Sequence, residues 1–410
     1  MQFIADFHIH SKYSRATSKN MDIENLSKMA SIKGLDLLGT GDFTHPLWLL
    51  ELKRKLKPLD NGLFQYNNVH FILTSEVCNI FTKNGKIRKV HTIIFAPSFE
   101  IVDKINNALS KYGDLSSDGR PILSIEVALL AKIILDISSD CLIIPAHAWT
   151  PWFSIFGSNS GFDSIEECFG EFSKYIYSIE TGLSSDPKMN WRLSTLDMIT
   201  LISNSDAHSL NNIGREANVF NAKLHYYEIK QIIQSKNKEK FLYTIEFFPE
   251  EGKYHYDGHR NCNVCISPRE TKKCKGICPV CKKPLTRGVL NRVEELADRD
   301  EGIVPSSAIP FKNLVPLEEI IAEALCKEKG TVAVDKEYER LIQGGGSEFN
   351  ILLNLSYDDI KKIGPEKIAE GIIRVREGKV KRFPGYDGEY GKIKVFDESE
   401  FEKKEQLNLF

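Results

Sequence analysis

Residues 3–10 read FIADFHIH, an apolar run that is typical of a buried β-strand and that ends in two histidines. Side chains two residues apart on an extended segment point to the same side, so His8 and His10 can reach one pocket. Metal-binding residue types recur near the ends of other apolar, β-rich runs at Asp42, His45, Glu76, His91, His147, Asp206 and His208. Ligands contributed by many strand ends are typical of the rim of a parallel α/β barrel, and we expect that fold.

The mixture of imidazoles and carboxylates suits zinc, manganese or iron. We expect two or three divalent metals in the barrel (zinc, manganese, iron or magnesium), the third on the family resemblance described below. A bridging carboxylate such as Glu76 can hold two ions about 3.5–4 Å apart, an arrangement that serves phosphoryl transfer. A single histidine near a strand end is more often structural, so the prediction depends on the joint pattern.

Four short motifs resemble those of the PHP (polymerase and histidinol phosphatase) metal-dependent phosphoesterases. They are residues 6–11, 39–42, 145–147 and 205–208, which read DFHIHS, GTGD, PAH and SDAH. The resemblance covers roughly residues 1–235 and implies an α/β fold with a distorted (β/α)7 barrel. It also implies three metal sites: His8, His10, Glu76 and Asp206 for one, Glu76, His91 and His147 for a second, and Asp42 with His208 for part of a third.

The third site departs from the commonest family pattern, because the expected Asp-His pair reads Asp42-Phe43, with His45 two residues later. His45 is therefore a candidate third-metal ligand or, if it binds no metal, a candidate proton shuttle. Asp206, Glu76 and His45 are the candidate catalytic residues.

Length and composition predict several domains in a cytoplasmic protein. The chain has 410 residues, of which 42% are hydrophobic, and this is too long for one ordinary core. The N-terminus lacks a charged-then-apolar signal, and apolar runs stay short of the roughly 18–20 residues of a membrane span, so we expect no membrane partner. The predicted domains are a barrel (1–235), a zinc ribbon (236–300), a helical DNA-binding domain (301–397) and a flexible tail (398–410).

Nine cysteines without an export signal indicate thiols or metal ligands rather than disulfides. Cys262 and Cys265 form one CxxC pair, Cys278 and Cys281 form another, and twelve residues separate the pairs. This spacing predicts a four-cysteine ribbon that holds one structural zinc. Cys274 is an additional candidate ligand, and a redox CxxC motif is the alternative.

The ribbon region is basic: from Arg260 to Val293, nine lysines and arginines accompany one acid, Glu270. Such a patch is typical of phosphate-backbone binding, and a merely solvated lysine-rich turn is the alternative. The DNA contacts predicted in this region are Lys272, Lys273, Lys275, Arg287 and Arg292.

Aromatic residues beside predicted ligands suggest contacts with an extruded base. Trp149 and Trp152 follow His147, and Trp191-Arg192 lies on a polar loop after a predicted strand that ends at Glu180. Aromatic rings can stack on a base that has left the duplex, although ordinary core packing is the alternative for each of them. We include Trp149, Trp152, Trp191 and Arg192 among the predicted DNA contacts.

The C-terminal region predicts short helices. A helical pattern runs from Leu317 to Leu325, Ser356 is a predicted N-cap, and Gly364-Pro365 breaks the chain before a second helix with basic residues. This arrangement resembles a helix-hairpin-helix module, in which turn amides contact DNA phosphates, and an ordinary helix pair is the alternative.

The last five residues, 406–410, read QLNLF and closely resemble the bacterial sliding-clamp-binding peptide. Leu407, Leu409 and Phe410 would anchor in an apolar groove and Gln406 would fix the orientation by hydrogen bonding. A short peptide also recurs by chance, which is the alternative.

Together, these features resemble the endonuclease Q family of DNA-repair enzymes over essentially the whole chain, and the tail favours the bacterial type. The resemblance implies multi-metal hydrolysis of the phosphodiester 5′ to a deaminated base (uracil, hypoxanthine or xanthine) or an abasic site, with base flipping. Damaged DNA and the sliding clamp are the expected partners. Two alternatives remain: a small-molecule phosphatase similar to histidinol-phosphate phosphatase, which needs no ribbon or tail, and a non-catalytic DNA- or clamp-binding scaffold.

Overall fold

The predicted first strand forms and lies inside a large mixed sheet in this computed structural model, which describes residues 1–397 and 399–401. The strands are β1 (Gln2–Asp6), β2 (Leu37–Gly39), β3 (Lys57–Pro58), β4 (Phe64–Tyr66), β5 (Val69–Lys83), β6 (Lys86–Ala96), β7 (Ile122–Leu123), β8 (Leu142–Pro145), β9 (Ser178–Glu180), β10 (Thr200–Ile202), β11 (Ala217–Asn221), β12 (Phe241–Glu246), β13 (Asp257–His259), β14 (Val264–Ile266), β15 (Phe311–Asn313), β16 (Lys381–Phe383) and β17 (Lys392–Lys394).

The helices alternate with the barrel strands and then cluster after the ribbon. They are α1 (Ile23–Lys33), α2 (Pro46–Lys55), α3 (Phe99–Leu109), α4 (Val127–Ile137), α5 (Ile165–Phe169), α6 (Pro187–Asn190), α7 (Tyr226–Ser235), α8 (Pro268–Lys273), α9 (Val289–Leu296), α10 (Leu317–Ala324), α11 (Val332–Gly345), α12 (Tyr357–Ile363) and α13 (Glu366–Arg376). No helix within the described ranges combines the length and apolarity that a membrane crossing requires.

The barrel is mixed rather than wholly parallel. β1, β2 and β5 pair in parallel, whereas β6 runs antiparallel to both β5 and β8, and β11 runs antiparallel to β1. The cause is the two-residue turn Asn84-Gly85, whose positive φ angles of 52° and 73° suit a tight hairpin between β5 and β6. Glu76 and His91 consequently lie inside long paired strands and not at strand ends.

The inside of the barrel is filled by side chains that alternate with those facing the helices. Phe3, Phe7, Ile93, Phe95 and Phe220 belong to one buried cluster. Burying such large apolar side chains contributes roughly 1.5–3 kcal/mol each relative to exposure. This packed interior leaves the strand ends and the loops above them as the place for a polar site.

The sheet continues beyond the predicted barrel boundary at residue 235. β12 pairs antiparallel with β11, and β15, which follows the ribbon, pairs in parallel with β12. The ribbon is therefore an insertion between two strands that share one sheet.

The C-terminal helices confirm the predicted pattern. α10 begins at Leu317, and the Ser356 side chain accepts a hydrogen bond from the Asp359 amide at the start of α12. Gly364-Pro365 joins α12 to α13 as a short turn. The Arg376 guanidinium donates to the carbonyls of Ile351, Leu352 and Leu355, each at 2.7 Å, so this arginine holds the domain together instead of facing solvent.

A buried ion pair docks the C-terminal domain on the barrel. Lys33 at the end of α1 lies 2.7 Å from the Glu348 carboxylate, and both side chains are under 10% exposed. Tyr338 Oη and the Leu317 amide also donate to Glu348. Burial alone would raise the pKa of Glu348, but Lys33 and Tyr338 hold it below its ordinary value.

We expect Glu348→Gln to lower the free energy of unfolding by roughly 3–5 kcal/mol, because Lys33 would remain buried without its counter-charge. Urea unfolding would measure the loss. The control is Glu100→Gln, which removes an exposed partner of Lys104 and should leave the midpoint nearly unchanged. Equal effects of the two substitutions would contradict a docking role for Glu348.

Candidate active site

Four predicted ligands of the first metal lie together in a buried pocket. His8, His10, Glu76 and Asp206 each place a ligand atom within 4.8 Å of the others. The closest pair joins His10 Nε2 to Asp206 Oδ1 at 3.1 Å. These residues come from three separate parts of the chain, and they are the same four that the family resemblance implied for the first metal.

Glu76 also belongs to a second group with His91 and His147, again within 4.8 Å. Its Oε1 lies 2.8 Å from His91 Nδ1 and 3.0 Å from His147 Nε2. Its Oε2 lies 3.3 Å from His10 Nε2, on the side of the first group. One oxygen faces each group, which is the geometry of a bridging carboxylate.

The donor set fits divalent cations. His8 Nε2 is buried and has no hydrogen-bond partner among the described residues, while its Nδ1 contacts Glu180 Oε1 at 3.0 Å. A histidine whose other ring nitrogen is held by a carboxylate is the usual form of a metal ligand. Burial alone would lower the pKa of His8 and of His10, but the surrounding carboxylates raise both well above the ordinary value. The pocket therefore attracts positive charge.

Several site residues adopt the left-handed backbone region that non-glycine residues rarely enter. The φ angles are 51° at Asp42, 30° at His147 and 47° at Asp206. Gly41 shares this region at 59°, and a Cβ there would lie 2.2 Å from the Ile9 carbonyl oxygen. Such strain is concentrated at functional sites, where it aims side chains that regular strands would point elsewhere.

The structure gives Asp42 a different task from the predicted one. Its Oδ1 contacts His10 Nδ1 at 3.0 Å, and its Oδ2 accepts hydrogen bonds from the Ser11 amide and from the Ser11 and Ser14 hydroxyls. Both oxygens are thus occupied by protein groups. Asp42 therefore orients the predicted ligand His10, and its role as a third-metal ligand stays a prediction.

His45 and His208 also lie outside the two ligand groups in the described part of the chain. His45 Nε2 lies 3.2 Å from the Ser116 carbonyl oxygen, and its ring stacks on Tyr13 at 4.5 Å. His208 lies beside the site, with its ring 4.4 Å from that of His10. Burial lowers the pKa of both residues and favours their neutral forms. The third metal site and the proton-shuttle role of His45 stay predictions.

Two further site residues were not predicted from the sequence. Glu180 ends β9, contacts His8 and accepts a hydrogen bond from the His147 amide at 2.7 Å. Arg120 Nη1 lies 3.1 Å from Glu76 Oε2, and its side chain is 26% exposed, so it can also reach a bound phosphate. Glu180 could have been predicted, because it is an acid at the end of a predicted strand. Arg120 lies on a loop whose sequence shows no comparable pattern.

An aromatic cavity adjoins the second ligand group. It measures about 460 Å³ and is lined by Thr150, Trp152, Phe153, Leu183, His255 and Tyr390, among others. Thr150 Oγ1 lies 3.1 Å from His147 Nδ1, and the Phe153 ring lies 5.0 Å from that of His91. The cavity therefore begins directly beside predicted metal ligands.

A larger cleft of about 730 Å³ shares Trp152 with this cavity and runs between the barrel and the ribbon. Its lining includes the exposed cations Lys86 and Arg287, and also Arg88 and Arg292, which pair with acids of the same lining. Of the predicted DNA contacts, those that are exposed are Trp152, Lys272, Lys273, Lys275 and Arg287.

Two of the predicted DNA-contacting tryptophans pack against other residues of the protein. Trp149 is 1% exposed, and its Nε1 donates to Asn190, so it belongs to the core. Trp191 packs on Phe311 at 5.7 Å.

Two arginines are likewise engaged within the protein. Arg192 donates to the Arg299 carbonyl and to Glu294. Arg292 donates to the carbonyls of Phe156 and Phe162 and pairs with Asp163. Their guanidinium groups join segments of the chain, because the buried carbonyls beside them need donors.

The ribbon brings together three of its four predicted ligands. Cys262, Cys278 and Cys281 lie within 4.8 Å of one another, and the fourth member of the group is His259. Cys265 is exposed, with its sulfur 3.7 Å from the Pro384 carbonyl oxygen. Cys274 also lies outside the group, with its sulfur 3.3 Å from the Thr271 carbonyl oxygen. The predicted clamp-binding residues 406–410 lie outside the described residues.

Comparisons with known proteins extend over the whole chain. The structure of the lesion-specific endonuclease PfuEndoQ from Pyrococcus furiosus matches with a TM-score of 0.87 and 34% identity, covering 100% of this chain and 99% of that chain. A structure of Endonuclease Q in complex with a 27-mer duplex substrate, with an abasic lesion at the active site, matches with a TM-score of 0.85 and 34% identity. That match covers 97% of this chain and 98% of that one.

Sequence relatives agree. The uncharacterized protein YqxK of Bacillus subtilis is 29% identical over 408 residues, which are 95% of this chain and 98% of that protein. The uncharacterized protein MJ0043 of Methanocaldococcus jannaschii is 35% identical over 257 residues, which are 60% of this chain but only 31% of that protein. Residues 316–379 match the family described as the MJ0043 C-terminal domain.

The predicted α/β architecture, with a barrel, a ribbon and a helical C-terminal region, is confirmed by the match over the whole chain. Since identity of 34% extends over essentially the full length of both chains, this chain belongs to the endonuclease Q family.

Proposed function

We propose that this protein is a metal-dependent DNA-repair endonuclease that cuts the phosphodiester 5′ to a deaminated base (uracil, hypoxanthine or xanthine) or an abasic site. The observation that carries the proposal is the Glu76 carboxylate, which directs one oxygen toward each of two ligand groups. Paired sites joined by a carboxylate suit in-line displacement at phosphorus. The related structure with an abasic duplex supports DNA as the substrate.

Each group of residues has a defined task in this mechanism. When bound, the divalent ions supply Lewis-acid activation of the scissile phosphate and of the attacking water. His8, His10, Glu76 and Asp206 would hold one ion, and Glu76, His91 and His147 a second. Arg120, beside Glu76, would bind a phosphate oxygen and stabilise the charge that develops during attack.

Base flipping would use the aromatic cavity. Enzymes that act at a single nucleotide rotate it out of the stack, and a damaged or unpaired base costs less to extrude. The Trp152 and Tyr254 rings lie 5.7 Å apart at this cavity and offer apolar surfaces for a base. The cleft between the barrel and the ribbon would hold the DNA backbone through its exposed cations Lys86 and Arg287.

His255 would read the edge of the flipped base. It lines the cavity, is 6% exposed, and has an Nδ1 atom without a hydrogen-bond partner among the described residues. Burial lowers its pKa to about 4, so the ring is neutral at physiological pH and offers one donor and one acceptor. A buried nitrogen in need of a partner favours bases that supply one.

The sliding clamp remains a proposed partner through the tail. The peptide at residues 406–410 carries the anchors Leu407, Leu409 and Phe410 together with Gln406. Attachment to a clamp would raise the concentration of the enzyme near DNA without changing its chemistry.

Asp206→Asn is expected to lower incision of a uracil-containing duplex by more than about 100-fold, because it removes a carboxylate ligand. DNA affinity should change little, since the backbone contacts remain. A single-turnover assay with a binding assay measures both quantities, and the exposed Asp103→Asn is the control. Turnover of a phosphate monoester without incision of any lesion duplex by the native protein would refute the endonuclease proposal.

His255→Phe should reduce incision at uracil roughly 10-fold through the loss of one hydrogen bond, while incision at an abasic site should stay near the native rate. The reason is that an abasic nucleotide presents no base to the cavity. Single-turnover rates on matched duplexes provide the comparison. Equal losses on both substrates would show that His255 supports the fold instead of reading the base.

Deletion of residues 406–410 should weaken binding to a bacterial sliding clamp by more than about 100-fold, because all the apolar anchors are lost. Cleavage of a short oligonucleotide should be unchanged. Asn408→Ala, which removes no anchor, serves as the control in a pull-down or calorimetric titration. Undiminished clamp binding by the deletion variant would eliminate the tail as the contact.

A further inference from the structure

The predicted ligand His10 is followed directly by a loop of residues 11–21, which we call the His10 loop. The Lys12 amide closes this loop by donating to the Met21 carbonyl at 3.0 Å. The loop presents one exposed arginine, Arg15, and it lines neither the aromatic cavity nor the cleft between the barrel and the ribbon. Arg15 therefore lies outside the surfaces to which DNA binding is assigned above the ribbon.

The His10 loop is anchored to residues beside the predicted ligands. The Ser11 and Ser14 hydroxyls donate to Asp42 Oδ2 at 2.7 and 2.9 Å. The Ser18 amide donates to the His208 carbonyl oxygen at 2.9 Å. Because Asp42 also orients a predicted ligand, the loop has a fixed position relative to the first ligand group.

The backbone of the loop adopts a conformation that most residues avoid. Ala16, directly after Arg15, has a φ angle of 59°, in the left-handed region that favours glycine. Such a conformation persists only where the surrounding contacts enforce it. The point at which the Arg15 side chain leaves the loop is therefore determined by the contacts that anchor the loop.

One carboxylate joins Arg15 to Arg120, the arginine that lies beside Glu76. Asp118 Oδ1 accepts hydrogen bonds from the amides of Arg15 and Arg120, each at 3.2 Å. The other oxygen, Asp118 Oδ2, lies 3.5 Å from Arg15 Nε. The same side chain thus holds both arginines at the edge of the ligand groups.

The loop that carries Arg120 contacts the His10 loop closely at Gly119. The Gly119 amide donates to the Tyr13 carbonyl at 3.1 Å. A Cβ at Gly119 would lie 2.3 Å from both Asp42 Oδ2 and Ser14 Oγ, closer than Cβ atoms come in proteins. Only glycine permits this approach, so the two loops form one surface beside the site.

We propose that Arg15 binds the phosphate next to the scissile phosphate on the strand that is cut, while Arg120 binds the scissile phosphate itself. This inference rests on the proposed function and adds a second phosphate contact to it. Two arginines that share one anchoring carboxylate suit two neighbouring phosphates, because the spacing between the arginines is fixed before DNA binds.

The donors of Arg15 are available for this contact. Its side chain is 77% exposed, and its Nη atoms make no hydrogen bond within the described ranges. Asp118 lies near Nε only, so it directs the guanidinium without occupying the Nη donors. A planar guanidinium with two unused nitrogens matches the geometry of phosphate oxygens.

The test compares duplexes that differ by one phosphate charge. A uracil-containing duplex is prepared with a single neutral methylphosphonate at each phosphate adjacent to the incision site in turn. Single-turnover incision by the full-length native protein and by Arg15→Ala is measured at increasing protein concentration. This series separates the half-saturating concentration, which reports binding, from the maximal rate, which reports chemistry.

We expect one of the methylphosphonates to raise the half-saturating concentration of the native protein roughly 10-fold, because a charge-assisted hydrogen bond is lost. Arg15→Ala should show the same increase on the unmodified duplex and no further increase on that methylphosphonate duplex. Its maximal rate should change less than about threefold, since Arg15 does not contact the reacting atoms. The slope of log affinity against log salt should become shallower by about 0.9.

The control is Arg340→Ala, which removes another exposed arginine and should leave the half-saturating concentration unchanged. Arg15→Ala that binds the unmodified duplex like the native protein would overturn the phosphate contact. Arg15→Ala that remains as sensitive as the native protein to every methylphosphonate would also overturn it. In both cases incision by the native protein would leave the endonuclease proposal intact, whereas absence of any incision by the native protein would overturn both proposals.

Discussion

The site depends on keeping one buried carboxylate ionised. Burial would raise the pKa of Glu76, yet His91, Arg120 and His8 hold it well below its ordinary value. A buried charge is costly unless it is paired and hydrogen-bonded, so the positions of these residues are tied to that of Glu76. Its place in the middle of β5 follows from the long β5–β6 hairpin, which carries Glu76 and His91 on neighbouring strands. The two ligand groups can therefore share Glu76 only because β5 and β6 pair antiparallel within the mixed sheet.

A second layer of acids sets the orientation of the ligands. Glu180 contacts His8 and holds the His147 backbone, and Asp42 contacts His10. In the sequence these carboxylates cannot be told from metal ligands, because the same residue types coordinate a metal and orient the histidines that coordinate it. Only the contacts of the carboxylate oxygens distinguish a ligand from an orienting residue. The oxygens of Asp42 already contact amide, hydroxyl and imidazole groups of the protein.

Much of the fold and of the ligand set was predictable from local patterns, and the rest depends on contacts between distant segments. Strand-end spacing identified His8, His10 and Asp206, and the Asn84-Gly85 pair was a hairpin signal that the barrel prediction did not use. Trp149 is buried because it packs in the core and donates a hydrogen bond to Asn190, a contact between distant residues that the local sequence does not reveal. CxxC spacing predicted Cys265 as a ligand, whereas the group that the structure brings together contains His259 with Cys262, Cys278 and Cys281.

Two distant segments of the chain line the aromatic cavity. The barrel contributes Thr150, Phe153 and Leu183 beside the ligands, and the ribbon side contributes Tyr254 and His255. Metal ligands alone do not distinguish a phosphodiester in DNA from a small phosphate ester, because both present the same phosphoryl oxygens. If the protein cuts DNA as proposed, selectivity arises at the junction of barrel and ribbon, where the Val289 and Leu290 amides donate to the carbonyls of Tyr254 and His255. The residues at that junction would then govern which nucleotides enter the site, while the barrel residues govern the rate at which they are cut.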